Sequence, residues 1–206
     1  MGALTVVLML VAAEPAWKQL DGVPGVTVSV REVPNERFSE FRVTAVSSLG
    51  VDALCTAAFG TAQVDPEEAP ISSIISRKLV RETRSTAGVE RITYEQLTPP
   101  IVSARDFAVR NRMQPLAGGG CRVTINVANE FAPPLPAGFT RIEKIRGGWD
   151  VVPEGTSSRV TYTIFTDPNV SVPVGLVEGS LGRSAVGLIQ LVLRRAHRPI
   201  STASRD

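Results

Sequence analysis

The chain has one histidine, His197, and two cysteines, Cys55 and Cys121. That is too few to build a zinc finger, an iron–sulfur site or a Cys-x-x-Cys redox centre, so no metal and no cofactor are expected. A Ser-His-Asp or Cys-His nucleophile would have to use His197, which sits among Arg194, Arg195 and Arg198 near the C-terminus. A solvated helix end favoured by the helix dipole accounts for that cluster without chemistry. An excess of one charge is also lacking: 22 Lys and Arg stand against 20 Asp and Glu, a net +2. The basic residues are spread along the chain, so nucleic acid is not expected as a partner. Aromatic residues are scarce at 5%, with seven Phe, two Trp and two Tyr.

What is present is a strand-friendly globular composition: 206 residues, 43% hydrophobic and 20% charged. This excludes disorder and coiled coil and fits one domain able to bury a core or enclose a cavity. Residues 4–13 (LTVVLMLVAA) form an uninterrupted apolar run. The run is too short to span a bilayer, which takes about twenty residues. It fits the hydrophobic region of a signal peptide, with small residues for cleavage after Ala13 or Ala16, although no Lys or Arg precedes it. Residues 1–16 are therefore read as a leader and the protein as secreted or periplasmic, against the alternative of a buried first helix or strand. Export would place Cys55 and Cys121 in an oxidising compartment, where a disulfide is available chemistry; two positions alone do not fix whether they pair.

After the leader no repeat or linker divides the chain, and 17–198 reads as one domain with a short tail at 199–206. Val26, Val28 and Val30 alternate with polar residues, as do Phe41, Val43 and Ala45, which predicts two paired strands. Val51, Leu54, Cys55, Ala58 and Phe59 recur at helical spacing before the polar loop 63–70. Strand patterns follow at 77–84, 89–97, 105–113, 122–129, 140–152 and 158–166, with a proline-rich loop at 131–139. Residues 173–197 carry Val174, Val177, Leu181, Ala185, Leu188, Leu191 and Val192 at helical spacing and predict the one long helix. The order argues for an α+β protein, a curved antiparallel sheet packed around a C-terminal helix. With few large rings to fill its middle, an internal hydrophobic cavity is expected.

These residues resemble, in their order, the START (steroidogenic-acute-regulatory-related lipid transfer) domains of the helix-grip, Bet v 1-like superfamily. Trp17-Lys18 and Gly25-Val26-Thr27-Val28 look like the opening strands, and Glu40-Phe41-Arg42 like the second pair. Pro99-Pro100-Ile101-Val102-Ser103-Ala104-Arg105-Asp106-Phe107 looks like the proline turn into an Arg-Asp-aromatic strand. Arg146-Gly147-Gly148-Trp149, Ser158-Arg159-Val160-Thr161-Tyr162 and Asp167-Pro168 follow in sequence. The resemblance implies a helix-grip fold holding one lipid non-covalently between sheet and terminal helix, carried between membranes by a monomer that touches them transiently. In sterol-binding members an arginine reaches into the cavity six positions beyond the Arg of that motif. Here the position is Asn111, so the polar contact would be an amide.

By strand parity Asn111 shares a face with Phe107, Val109 and Met113, whereas Ala108, Arg110 and Arg112 take the other. An amide on an apolar inward face needs a hydrogen-bond partner, either a ligand head group or a water or backbone carbonyl. Asn111, Val109, Met113, Tyr94, Tyr162, Leu181 and Leu188 are the expected ligand contacts, although either tyrosine would serve equally well as packed core. Arg105 and Asp106 point to opposite faces and suit salt bridges or turn capping. Glu95 and Glu143 are expected to point outward, and no paired-carboxylate acid/base site is set up. The chain is thus expected not to be an enzyme. The competing expectations are a polyketide aromatase/cyclase-like enzyme on the same scaffold and a secreted ligand-sequestering module. Val174, Leu176 and Val177, with Arg183, Arg194 and Arg195, are expected to meet the membrane in a gate that includes the tip 114–120 and the loop 133–139.

Overall fold

The computed structural model describes residues 15–20, 23–63, 74–99 and 102–197. The apolar run 4–13, most of the loop 63–70 and the tail 199–206 lie outside the described residues. The elements are β1 (Lys18–Leu20), β2 (Thr27–Arg31), β3 (Glu40–Ser47), α1 (Val51–Gly60), β4 (Ile74–Ser85), β5 (Gly88–Leu97), β6 (Ala104–Pro115), β7 (Cys121–Val127), β8 (Phe139–Arg141), β9 (Lys144–Glu154), β10 (Ser157–Asp167) and α2 (Val174–Ala196). Ten strands form one sheet in the order β1-β2-β3-β10-β9-β7-β6-β5-β4, with β8 paired to β6. Every pairing is antiparallel except β6 with β8. The sheet is open, with β1 and β4 at its edges, and curls around α2 in the helix-grip arrangement.

Eight strands fall on the strand segments expected from the sequence, and β1 and β8 do not stand out there. Each has only three residues, too short for a period-two pattern to emerge. The expected strand 140–152 is two pieces, β8 and β9, because Ile142 turns inward between them and its N–H donates to the Asp106 carbonyl at 2.9 Å. β9 lies close against its neighbours at Gly147 and Gly148, both with positive φ. A Cβ on Gly147 would meet the Thr163 carbonyl oxygen at 2.1 Å, and one on Gly148 the Val123 oxygen at 1.9 Å. Only glycine lets β9 pass this close to both β10 and β7.

The concave side divides into two halves. At one end α1 plugs the sheet: Leu54, Ala58 and Phe59 pack with Val123, Trp149, Val151 and Val160, and Ile189 and Val192 of α2 close the cluster. Cys55 of α1 and Cys121 of β7 are joined in a disulfide, Cα atoms 5.9 Å apart, which fastens the plug to the sheet. The other half, under the first part of α2, is left open.

Candidate functional site

That second half holds a cavity of about 420 Å³, partly open to solvent, within the range of about 300–1,000 Å³ usual for a single small ligand. The alternation of β6 turns Phe107, Val109 and Asn111 into it, and β10 contributes Tyr162, Ile164 and Thr166. The roof is α2, through Leu176, Val177, Leu181, Ala185 and Leu188. The connection between β10 and α2 closes one side with Pro168, Val170 and Val172.

Against these apolar walls stand a few polar groups: Arg77, Glu95, Asn111 and Tyr162 on the strands, Arg105 beside the β10–α2 connection, and Ser180, Arg183 and Ser184 on α2. Arg77 and Glu95 stand opposite each other on β4 and β5, and Arg77 Nη2 donates to Glu95 Oε2 at 2.8 Å. Both side chains are nearly buried, at 11% and 8% exposure. Thr93 Oγ1 donates to the other carboxylate oxygen at 3.3 Å, and Arg77 Nη1 reaches the Thr61 carbonyl at 3.3 Å, tying the pair to the turn after α1. Asn111 is buried, and its Nδ2 has no protein partner. Tyr162 is buried with its ring stacked on Trp149, centroids 4.2 Å apart. Burial pushes the Tyr162 phenol far up, and the charge of Glu95 adds to the shift while Arg77 opposes it, so the hydroxyl stays a neutral donor and acceptor.

Of the seven residues singled out in the sequence, Asn111, Val109, Tyr162, Leu181 and Leu188 are brought together in the cavity wall. Tyr94 and Met113 are not. Tyr94 lies on the opposite face of the sheet, where its hydroxyl donates to Asp106 Oδ2 at 3.0 Å and burial raises its pKa. Met113 shares the face of Asn111 but sits two residues further along β6, packed against the core cluster beside α1. Glu95 is also corrected: it points inward and is 6% exposed, not solvated. The misreading has one cause. The excursion 128–142 covers the outer face of β5 and β6, where Asn129 Oδ1 accepts from the Ala108 N–H and Arg141 holds Asp106 at 2.6 Å. Both faces of these strands are therefore buried, and the apolar Ile92 and Tyr94 do not mark the inner one. Arg77 was missed because β4 is an edge strand with Ile75, Leu79 and Val80 exposed, so its alternation carries no signal.

Arg105 does more than cap a turn. It is buried, its pKa is lowered by that burial, and it donates to the carbonyls of Pro168 and Asn169 as well as Ser103. Glu143 is exposed, as expected. The hairpin tip between β6 and β7 belongs to the α1 end: Gly119 lies beside Pro153, and Cys121 carries the disulfide. None of its residues lines the cavity. Among the described residues no group of three or more His, Cys, Asp or Glu is placed to hold a metal ion.

No family model and no curated protein matches this sequence. Solved structures do match. A STAR-related lipid transfer protein fragment from Xanthomonas axonopodis superposes with a TM-score of 0.70 at 20% identity, over 88% of this chain and 99% of that one. Human STARD10 superposes at 0.67 and 16% identity, over 87% and 72% of the two chains. The ZhuI aromatase/cyclase of Streptomyces sp. R1128 superposes at 0.51 and 10% identity, over 80% and 97%. The shared property is the fold: this chain folds as STAR-related lipid transfer domains do.

Proposed function

We propose that the protein holds one hydrophobic or amphipathic lipid in the cavity between sheet and α2 and carries it between membranes. The observation that carries this reading is the cavity itself, about 420 Å³ with apolar walls and a small set of polar groups, among them Arg77, Glu95, Asn111 and Tyr162. Apolar walls hold the body of a ligand by burial, and the polar groups fix its polar end. Arg77 and Glu95 are paired, so this pair offers hydrogen bonds more than net charge to a guest, while Arg105 and Arg183 also line the cavity. The fold shared with lipid transfer proteins supports the same reading. Residues 1–16 act as an export leader, a reading supported by the apolar run and by a disulfide of the kind that persists in oxidising compartments. Native mass spectrometry of protein purified from its own host, without added lipid, tests the reading. A single bound lipid is expected, and a protein that arrives empty and takes up none from mixed vesicles would overturn it.

One observation favours a second reading, an aromatase/cyclase-like enzyme. Arg77, Glu95 and Tyr162 are side-chain types such chemistry needs, and they line this cavity. The carboxylate is already engaged by Arg77 and Thr93, and the phenol is held neutral, which leaves the cluster better suited to binding than to proton abstraction. Recovery of a bound lipid chemically unchanged after long incubation separates the two.

A further inference from the structure

The strap 168–173 between β10 and α2 forms part of the cavity wall, yet it has no sheet or helix to hold it. Four of its carbonyls are taken by two arginines from outside. Arg105 Nε donates to Pro168 O at 2.9 Å and its Nη2 to Asn169 O at 3.2 Å. Arg37, in the loop between β2 and β3, donates from Nη1 to Val170 O and from Nη2 to Val172 O, the latter at 2.5 Å.

The two arginines are not equivalent. Arg105 is buried, and its Nη1 is taken up by Ser103 and Ala104. Arg37 is exposed, and neutral carbonyls are its acceptors here. A guanidinium fork is better matched by phosphate, which offers charged oxygens in the same geometry. Beside the strap, in the first turn of α2, Leu176 lines the cavity and is also 58% exposed. The neighbouring acids are occupied. Glu36 is bound by Lys144 at 2.8 Å, Glu178 accepts the Ser39 N–H at 2.9 Å, and Asp167 accepts the Asn169 N–H at 2.9 Å.

We propose that the strap is the moving part of the cavity wall, pinned at Arg105 and clasped by Arg37, and that an anionic membrane surface opens it by offering phosphate oxygens to Arg37. Leu176 then enters the acyl boundary as the strap lifts, and the cavity faces the bilayer. The inference rests on the lipid-carrying reading for its purpose and on the arginine contacts for its mechanism.

Hydrogen exchange over 168–176 tests it, with phosphatidylcholine vesicles alone or containing phosphatidylglycerol, and with sedimentation to show binding. In the wild type, exchange at Asn169 and Leu176, whose N–H groups donate to Asp167 Oδ1 and Pro173 O, is expected to rise at least about tenfold on the anionic vesicles, as the two hydrogen bonds from Arg37 are given up, and to stay unchanged with phosphatidylcholine. Arg37→Ala should exchange at the faster rate in buffer and ignore the vesicles. Arg37→Lys, which keeps the charge but presents no fork for two carbonyls, should lie between. Strap exchange that is unchanged or slowed in wild type bound to anionic vesicles overturns the clasp. So does failure to sediment with them, or a strap as slow in Arg37→Ala or Arg37→Lys as in the wild type. Lipid uptake is read separately by native mass spectrometry. Uptake with unaltered exchange sinks the clasp alone, whereas no uptake by any variant sinks the lipid-carrying reading and leaves the clasp to be judged by exchange.

Discussion

Arg77 and Glu95 face each other across β4 and β5 at 2.8 Å, an ion pair built into the wall of a largely apolar cavity. Removing one partner leaves a charge in a poorly solvated place. Arg77→Met and Glu95→Leu singly are each expected to destabilise by about 3 kcal/mol, whereas the double replacement should return close to wild-type stability, as buried pairs commonly do. Urea unfolding of the four proteins measures this. A double variant as unstable as the sum of the singles would show that the pair is not acting as a unit. Lipid binding should fall in all three variants.

Asn111 offers a cleaner probe, because its Nδ2 is buried with no protein partner. Asn111→Leu is expected to leave stability unchanged or slightly raised and to weaken ligand binding by about 1 kcal/mol, several-fold in affinity. Equal affinity in the two proteins would mean that the ligand does not use the amide.

The reach of the sequence is visible in these two sites. Asn111 was legible because Arg110 and Arg112 on either side mark the other face and leave the amide on the face of Phe107 and Val109. Glu95 and Arg77 were not, because β5 is buried on both faces and β4 is an exposed edge, so neither strand carries a one-sided pattern. The long helix and the succession of strands along the chain followed from periodicity and turn residues. The division of the concave side between α1 and the cavity did not. It depends on where α1 is pinned, and the Cys55–Cys121 link joins residues 66 positions apart.

That link gives the next prediction. Closing a loop of this length lowers the entropy of the unfolded chain, an effect worth about 4 kcal/mol in the chain-entropy account. Cys55→Ala with Cys121→Ala should lose about that much stability, and reductant should destabilise the wild type but not the variant. Equal urea midpoints with and without reductant would show that the bond contributes nothing.

Tyr94 and Tyr162 are the only tyrosines in the chain, and both phenols are raised, chiefly by burial. A group whose folded pKa lies above its unfolded value contributes stability that is complete below the unfolded pKa, about 10 for tyrosine, and is lost as the pH climbs beyond it. Tyrosinate absorbance should therefore be missing at the pH where free tyrosine ionises and should appear together with alkaline unfolding. An early rise in a protein still folded by circular dichroism would place at least one ring in water.

The glycines of α2 separate packing from looseness. A Cβ added at Gly182 would stand 3.2 Å from Cε1 of Phe41, a ring buried at 3% exposure, whereas at Gly179 it would meet only the movable end of Arg183 at 3.5 Å. Glycine costs about 1 kcal/mol relative to alanine inside a helix. Gly179→Ala should therefore gain up to about that amount, because nothing rigid opposes the methyl. At Gly182 the same gain is opposed by strain against Phe41, so Gly182→Ala should be neutral to destabilising by about 1 kcal/mol. Phe41→Leu, which shortens the opposing side chain, should restore part of the gain when combined with it. The combined effect must then exceed the sum of the single ones, and a strictly additive double variant would show that Gly182 is not held at glycine by this contact. Measured beside lipid transfer between vesicles, the Gly179 variant also reports on α2 as a gate. A more rigid helix that still transfers lipid at the wild-type rate assigns the opening motion to the strap before α2 and not to the helix itself.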